Sequence, residues 1–75
     1  MNPASDLIVS STQALGAAAR ARRKELGLPL HDAAALTGLS VGFVHGMEHG
    51  KPTAETGKVL QYLNALGLDL VVRSR

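Results

Sequence analysis

His45-Gly46-Met47-Glu48-His49 brings two imidazoles and a carboxylate into one short run of the chain. Two histidines four residues apart share a helix face and can bind zinc, and H-x-x-E-H is the ligand order of inverted zinc peptidases. A peptidase needs a further ligand and a substrate cleft. Gly50 stops the helix at once, no further carboxylate is placed to complete the set, and a chain of 75 residues has no room for a cleft. The chain has no cysteine, which excludes thiolate metal sites and disulfides. The expectation is no enzyme, no resident metal and no cofactor. A second chemistry open to the same stretch is contact with a polyanion, through Ser40, His45, His49 and Lys51. The net charge of +2 is compatible with DNA and far from a polybasic tail. One Phe, one Tyr and no Trp leave no stacking platform for single strands.

These side chains need a frame. Ser40 reads as the cap of a short helix from Val41 to about His49, with Val44 and Met47 facing inward and Gly50 as its stop. Before it, Leu30 to Thr37 follows Pro29, which a first turn tolerates, carries Asp32 near its start and ends at Gly38. The first helix is expected from Ser10, whose spacing to Gln13 is that of a capping box, to Leu26, with Gly27 as the stop. Leu15, Ala19, Arg22 and Leu26 fall on one of its faces, and Arg20, Arg23 and Lys24 load its C-terminal half with cations. After Lys51-Pro52, Thr53 is expected to cap a fourth helix over about Ala54 to Leu66, with Val59, Leu60, Leu63 and Leu66 apolar and Gly67 as the stop. Helix, short helix, glycine turn, short helix is the layout of a helix-turn-helix, whose second short helix enters the major groove of DNA.

The end of the chain differs in kind. Leu68-Asp69-Leu70-Val71-Val72-Arg73 is rich in β-formers and largely alternates, so a strand is expected. A lone strand needs a partner, and the chain offers no second convincing one. Pairing with the same strand of another copy about a two-fold axis is the simplest solution, with Leu68, Leu70, Val71 and Val72 as the dimerisation residues. The division is then a flexible tail at 1–9, a helix-turn-helix domain at 10–67 and a dimerisation strand and end at 68–75. Ala19 and Ala33 fill little core, with Leu36 and Phe43 expected to compensate, and a small core of this kind favours a dimer.

Residues from about Ser10 to Arg73 resemble the Xre-like, lambda-repressor-type helix-turn-helix proteins. The matching pieces are Arg20-x-x-Arg23, Leu26-Gly27-Leu28, Ala34, Gly38-Leu39-Ser40, Val44, Met47-Glu48 and Gly50-Lys51-Pro52-Thr53. Ala65-Leu66-Gly67-Leu68-Asp69-Leu70, a strand directly after the last helix, resembles the HipB-like antitoxin branch. The resemblance implies a mainly α fold: a lambda-repressor-like domain of four or five helices with a C-terminal β-strand pairing across a dimer. It gives Arg23 and Glu48 the role of an ion pair tying the first helix to the end of the third. A half-buried carboxylate beside the inward Met47 calls for an arginine partner in any case.

The expected DNA-binding residues are Ser40, Val41, Gly42, His45, Gly46, His49 and Lys51. In the proteins it resembles, the outward positions commonly hold Gln, Arg, Ser, Thr or Asn, and a Thr-Gln pair often stands where this chain has Pro29-Leu30. A good bidentate base contact discriminates by about 1–3 kcal/mol, and neither Val41 nor Gly42 can make one. Val41 can touch a thymine methyl. Ser40, Lys51 and the helix-start N–H groups suit phosphate.

The resemblance thus implies a transcriptional repressor that binds an inverted repeat of double-stranded operator DNA as a homodimer and autoregulates its operon. It also implies an antitoxin whose partner is a HipA-like serine/threonine kinase toxin. The alternatives are a protein-interaction subunit with weakened DNA binding and a stand-alone helix-turn-helix regulator. No apolar run is long enough for a bilayer and the N-terminus lacks a signal-peptide pattern, so the expected location is cytoplasmic, at the nucleoid.

Overall fold

Glycines decide where the helices stop. The computed structural model describes residues 6–75. It contains α1 (Thr12–Glu25), α2 (Leu30–Thr37), α3 (Val41–Glu48) and α4 (Thr56–Ala65). Gly27, Gly38, Gly50 and Gly67 follow them at φ of 70, 74, 82 and 76°. After each glycine, the next N–H reaches five residues back: Leu28 to the Arg23 carbonyl, Leu39 to Ala34, Lys51 to Gly46 and Leu68 to Leu63, all within 3.2 Å. This Schellman closure ordinarily brings an apolar residue after the glycine onto the last turn. Leu28, Leu39 and Leu68 do so, packing against the core. The third closure carries Lys51, whose aliphatic stem lies over Gly46, its Cδ 3.4 Å from where a Cβ would stand.

The helix starts differ from the sequence expectation in two places. α1 begins two residues later than Ser10. Ser11 is its cap, with Oγ accepting from the Ala14 N–H at 3.0 Å, so the Ser10–Gln13 capping box does not form. α4 begins at Thr56 rather than Ala54, and its cap position is Glu55, without a side-chain cap bond. The chain first makes a turn after Pro52, closed by the Ala54 N–H on the Lys51 carbonyl at 3.3 Å, which takes Thr53 out of the capping position.

The core is small and draws on all four helices: Ala19, Ala33, Ala34, Val44, Met47, Val59, Tyr62, Leu63 and Leu66. Three alanines among these let backbones come close. The closest approach is at Gly16 of α1, where a Cβ would stand 2.4 Å from the Met47 carbonyl oxygen. Gly50 plays the matching part from the other side: its absent Cβ would lie 2.8 Å from Gln13 Cα, and the Thr12 hydroxyl donates to its carbonyl at 2.8 Å. The end of α3 is thereby seated on the first two turns of α1.

Several apolar residues expected inside lie outside. Leu26 is exposed because α1 turns Gly16, Ala19 and Arg23 inward, a stripe displaced by one position from the expected one. Leu36 is 65% exposed, since α2 buries Ala33, Ala34 and Thr37 on its other side, so it does not compensate for the alanines. Leu60 is likewise at the surface, and Tyr62 takes its place inside.

Of the tail expected at 1–9, residues 1–5 lie outside the described residues; residues 6–10 have no regular structure. Residues 68–75 form no strand within the single chain, which offers them no partner. Leu70, Val71 and Val72 are 50, 74 and 93% exposed. No helix of the described residues is long and apolar enough to cross a membrane.

Candidate nucleic-acid interface

The orientation of α3 is set by three buried side chains. Arg23 from α1 grips Glu48, the last residue of α3, with two parallel bonds, Nε to Oε2 at 2.8 Å and Nη2 to Oε1 at 3.0 Å. The third arm of the guanidinium, Nη1, donates to the Leu28 carbonyl at 2.9 Å, tying in the loop before α2. From α4, the Tyr62 hydroxyl donates to Glu48 Oε2 at 2.6 Å. Among the described residues no buried side-chain N or O lacks a partner. A planar, bidentate Arg–carboxylate pair fixes an angle as well as a distance.

The energetics of the cluster follow from its burial. Desolvation pushes the Glu48 carboxyl up, but the Arg23 and Tyr62 hydrogen bonds outweigh it and hold the group below the usual carboxylate range. Burial raises the Tyr62 phenol well above its ordinary value, and donation to the Glu48 carboxylate raises it further. Arg23, bonded to Glu48, is held charged more firmly than a free guanidinium. The cluster joins α1, α3 and α4, and Gln61 of α4 adds a bond from Nε2 to the Thr37 carbonyl of α2 at 2.7 Å.

With Glu48 turned inward, α3 offers its other side to solvent. Ser40 caps it, Oγ accepting from the Phe43 N–H at 3.0 Å. Val41 is 45% exposed, and Gly42, His45, His49 and Lys51 are exposed. Gly46 is half-buried under the Lys51 stem. Nothing stands within 4 Å of where a Gly42 Cβ would be. The rings of His45 and His49 stack, centroids 4.1 Å apart, and His49 Nδ1 lies 2.7 Å from the His45 carbonyl. A carbonyl only accepts, so His49 Nδ1 carries a proton and Nε2 is the outer atom left for a ligand. The two imidazoles and Glu48 do not converge on a common point.

A helix with its side chains is about 10–12 Å across, and the major groove of B-DNA is about 12 Å wide. The α3 face thus has the size of a groove-reading element. Its chemistry is a hydroxyl, a valine, two imidazoles and one ammonium, with cations beside it. Lys58 of α4 stands 6.0 Å from the Phe43 ring centroid. The charge of the exposed Arg20 also helps lower the Glu48 carboxyl. Arg22 is directed elsewhere, with Nε on the Leu66 carbonyl at 2.9 Å.

Sequence reasoning missed Tyr62, which is fully buried and completes the Glu48 cluster. The signal was present: Val59, Tyr62, Leu63 and Leu66 fall at i, i+3, i+4 and i+7, a better helical stripe than one through Leu60. Lys58 and Gly16 were also missed; only packing reveals the glycine's part.

The sequence pattern of a helix-turn-helix domain matches residues 14–75 of this chain. The chain belongs to the helix-turn-helix domain family. It is also 43% identical over 56 residues to an uncharacterized HTH-type transcriptional regulator, y4mF, of Sinorhizobium fredii, the match covering 75% of this chain and 74% of that protein. The assignment gives the α2–turn–α3 unit its meaning: Gly38 makes the turn, and α3 occupies the recognition position of the helix-turn-helix.

Proposed function

We propose that this helix-turn-helix protein is a DNA-binding transcriptional repressor that acts as a homodimer on an inverted repeat. The observation that carries the reading is α3 itself: an exposed helix face, capped by Ser40 and aligned by Arg23, Glu48 and Tyr62. The similarity to a protein named as a transcriptional regulator supports the regulatory role. Ser40, Lys51 and the N–H groups at the start of α3 contact phosphate. Val41 and Gly42 lie against the floor of the groove, and His45, Gly46 and His49 follow along it. Two copies joined through Leu68, Leu70, Val71 and Val72 present their α3 helices about 34 Å apart, one turn of DNA.

Within this reading, the chain belongs to the Xre-like, HipB-like branch and serves as antitoxin to a HipA-like serine/threonine kinase, repressing their common operon. The sequence pieces Met47-Glu48 and Gly50-Lys51-Pro52-Thr53 support the Xre-like assignment, and Ala65-Leu66-Gly67-Leu68-Asp69-Leu70 supports the HipB-like branch. A second reading, a protein-interaction subunit with weakened DNA binding, draws support from the poverty of hydrogen-bonding groups at Val41, Gly42 and Gly46.

Gel shifts on the DNA upstream of the protein's own gene, over a salt series, test the first reading. Binding at low salt that weakens with a slope of about −0.9 per phosphate contacted supports it; no shift at low salt refutes it. Co-expression with the neighbouring gene product tests the antitoxin role: a stable complex whose kinase activity is suppressed is expected, and an unimpaired kinase refutes it.

A further inference from the structure

The segment after α4 carries two kinds of residue at alternate positions. In an extended chain Leu68, Leu70 and Val72 share one face, and Asp69, Val71 and Arg73 the other. Leu68 is half-buried against the core, and Leu70 borders a groove lined by Met47 and Val59. Leu70 is also less exposed than Val71, 50 against 74%. The first face is therefore turned to the helical body, and the charged face to solvent. Val72, 93% exposed, has almost nothing of its own chain beneath it.

Two identical strands pairing antiparallel about a two-fold axis have few registers, each named by what lies on the axis. We infer that a second copy of this chain pairs here with Val71 on the axis, so that Asp69 of each copy faces Arg73 of the other. Leu70 then faces Val72 and Leu68 faces Ser74, each pair occurring twice. Other registers do worse. With the axis at Val72, Asp69 still meets a cation, Arg75, but Val71 faces Arg73 and Leu70 faces Ser74. With the axis at Leu70, Asp69 faces Val71. An axis between two residues is excluded outright, because it would set residues of opposite faces against each other, Leu70 against Val71. Only the Val71 register pairs opposite charges while covering Leu70 and Val72 with apolar side chains. Anion, three apolar residues, cation is a sequence complementary to its own reverse. The charges thus select a second copy over an unrelated edge strand.

This inference rests on the dimer reading above and adds its register and the charges that choose the partner. The test uses the full chain, Asp69→Arg and Arg73→Asp, each alone, mixed in equal amounts, and combined in one chain, by sedimentation equilibrium at low and high salt. Each single variant turns two attractive cross-strand pairs into two repulsive ones, so its dimer should dissociate about tenfold to a hundredfold more readily than the wild type. The equimolar mixture should regain the dimer, because a strand with two cations then meets a strand with two carboxylates. The doubly substituted chain should regain it alone, and 1 M salt should narrow all these differences. Single variants that dimerise as tightly as the wild type, or a mixture that stays dissociated, overturn the register while the dimer stands. A wild-type chain that is monomeric throughout overturns the dimer itself.

Discussion

Replacing Tyr62 by Phe removes one oxygen atom from the centre of the molecule. The ring stays in its fully buried slot, so no sizeable cavity opens. What is lost is the 2.6 Å bond to Glu48 Oε2, leaving the carboxylate with the two Arg23 bonds. A hydrogen bond to a charged group contributes about 1.5–3 kcal/mol, so the expected destabilisation is about 2 kcal/mol. For a domain of this size that lowers Tm by about 8–16 °C. The change also has a direction in pH. The folded state holds the Glu48 carboxyl below its unfolded value, so its stabilisation is complete above the unfolded pKa and is lost as pH falls through the folded one. Without the Tyr62 donor the folded pKa rises toward the unfolded value, so this contribution shrinks and its loss, which still begins at the unfolded value, is complete at a higher pH. Urea melts followed by circular dichroism between pH 2.5 and about 7 measure both effects. A loss under about 0.5 kcal/mol at neutral pH, or an unmoved acid limb, would refute the reasoning that Tyr62 is an energetic member of the cluster.

Other perturbations give distinct outcomes. Gly16→Ala drives a Cβ into the Met47 carbonyl and should destabilise by about 3 kcal/mol, read as a fall in the urea midpoint; an unchanged midpoint rejects the backbone contact. In Gly42→Gln the new Cβ meets nothing within 4 Å, so relief of a glycine inside a helix should raise stability by about 0.5–1 kcal/mol, and the amide should sharpen base preference in a binding-site selection. Lys51→Ala should leave sequence preference intact and lower the magnitude of the salt slope of DNA binding by about 1 per subunit; an unaltered slope removes Lys51 from the phosphate contacts. At the alkaline end, the raised Tyr62 phenol stabilises fully below the unfolded value of 10.0 and loses that contribution as pH rises beyond it, so wild type should lose stability above pH 10 by more than Tyr62→Phe.

Much of this fold is written in local sequence. Each glycine stop is followed by a residue that closes the helix backward, and these pairs mark the four C-terminal ends in the sequence alone. The N-terminal ends are less legible because serines cluster: Ser10 and Ser11 both fit a cap, and only the seating of Thr12 on Gly50 decides between them. Thr53 failed as a cap because the turn after Pro52 uses it. The inward faces of α1 and α2 were harder still. A core built from Gly16, Ala19, Ala33 and Ala34 has little hydrophobic contrast, and the large residues Leu26 and Leu36 draw the eye to the wrong side. At the interface, residue identity could be read, but not the stacking of His45 on His49, the Lys51 stem over Gly46 or Lys58 beside Phe43, which depend on neighbours distant in sequence or on rotamers.

The backbone contact at Gly16 bears on how such a protein diverges. Where two helices are held apart by side chains, any change in those side chains alters the tilt between them. Here α1 meets α3 at a carbonyl oxygen, with no adjustable spacer. The outer residues of α3 touch neither this contact nor the Glu48 cluster. Substitutions at Val41, Gly42 and His45 can accumulate while the helix keeps its aim, so a lineage can exchange one recognition alphabet for another on an unchanged mount.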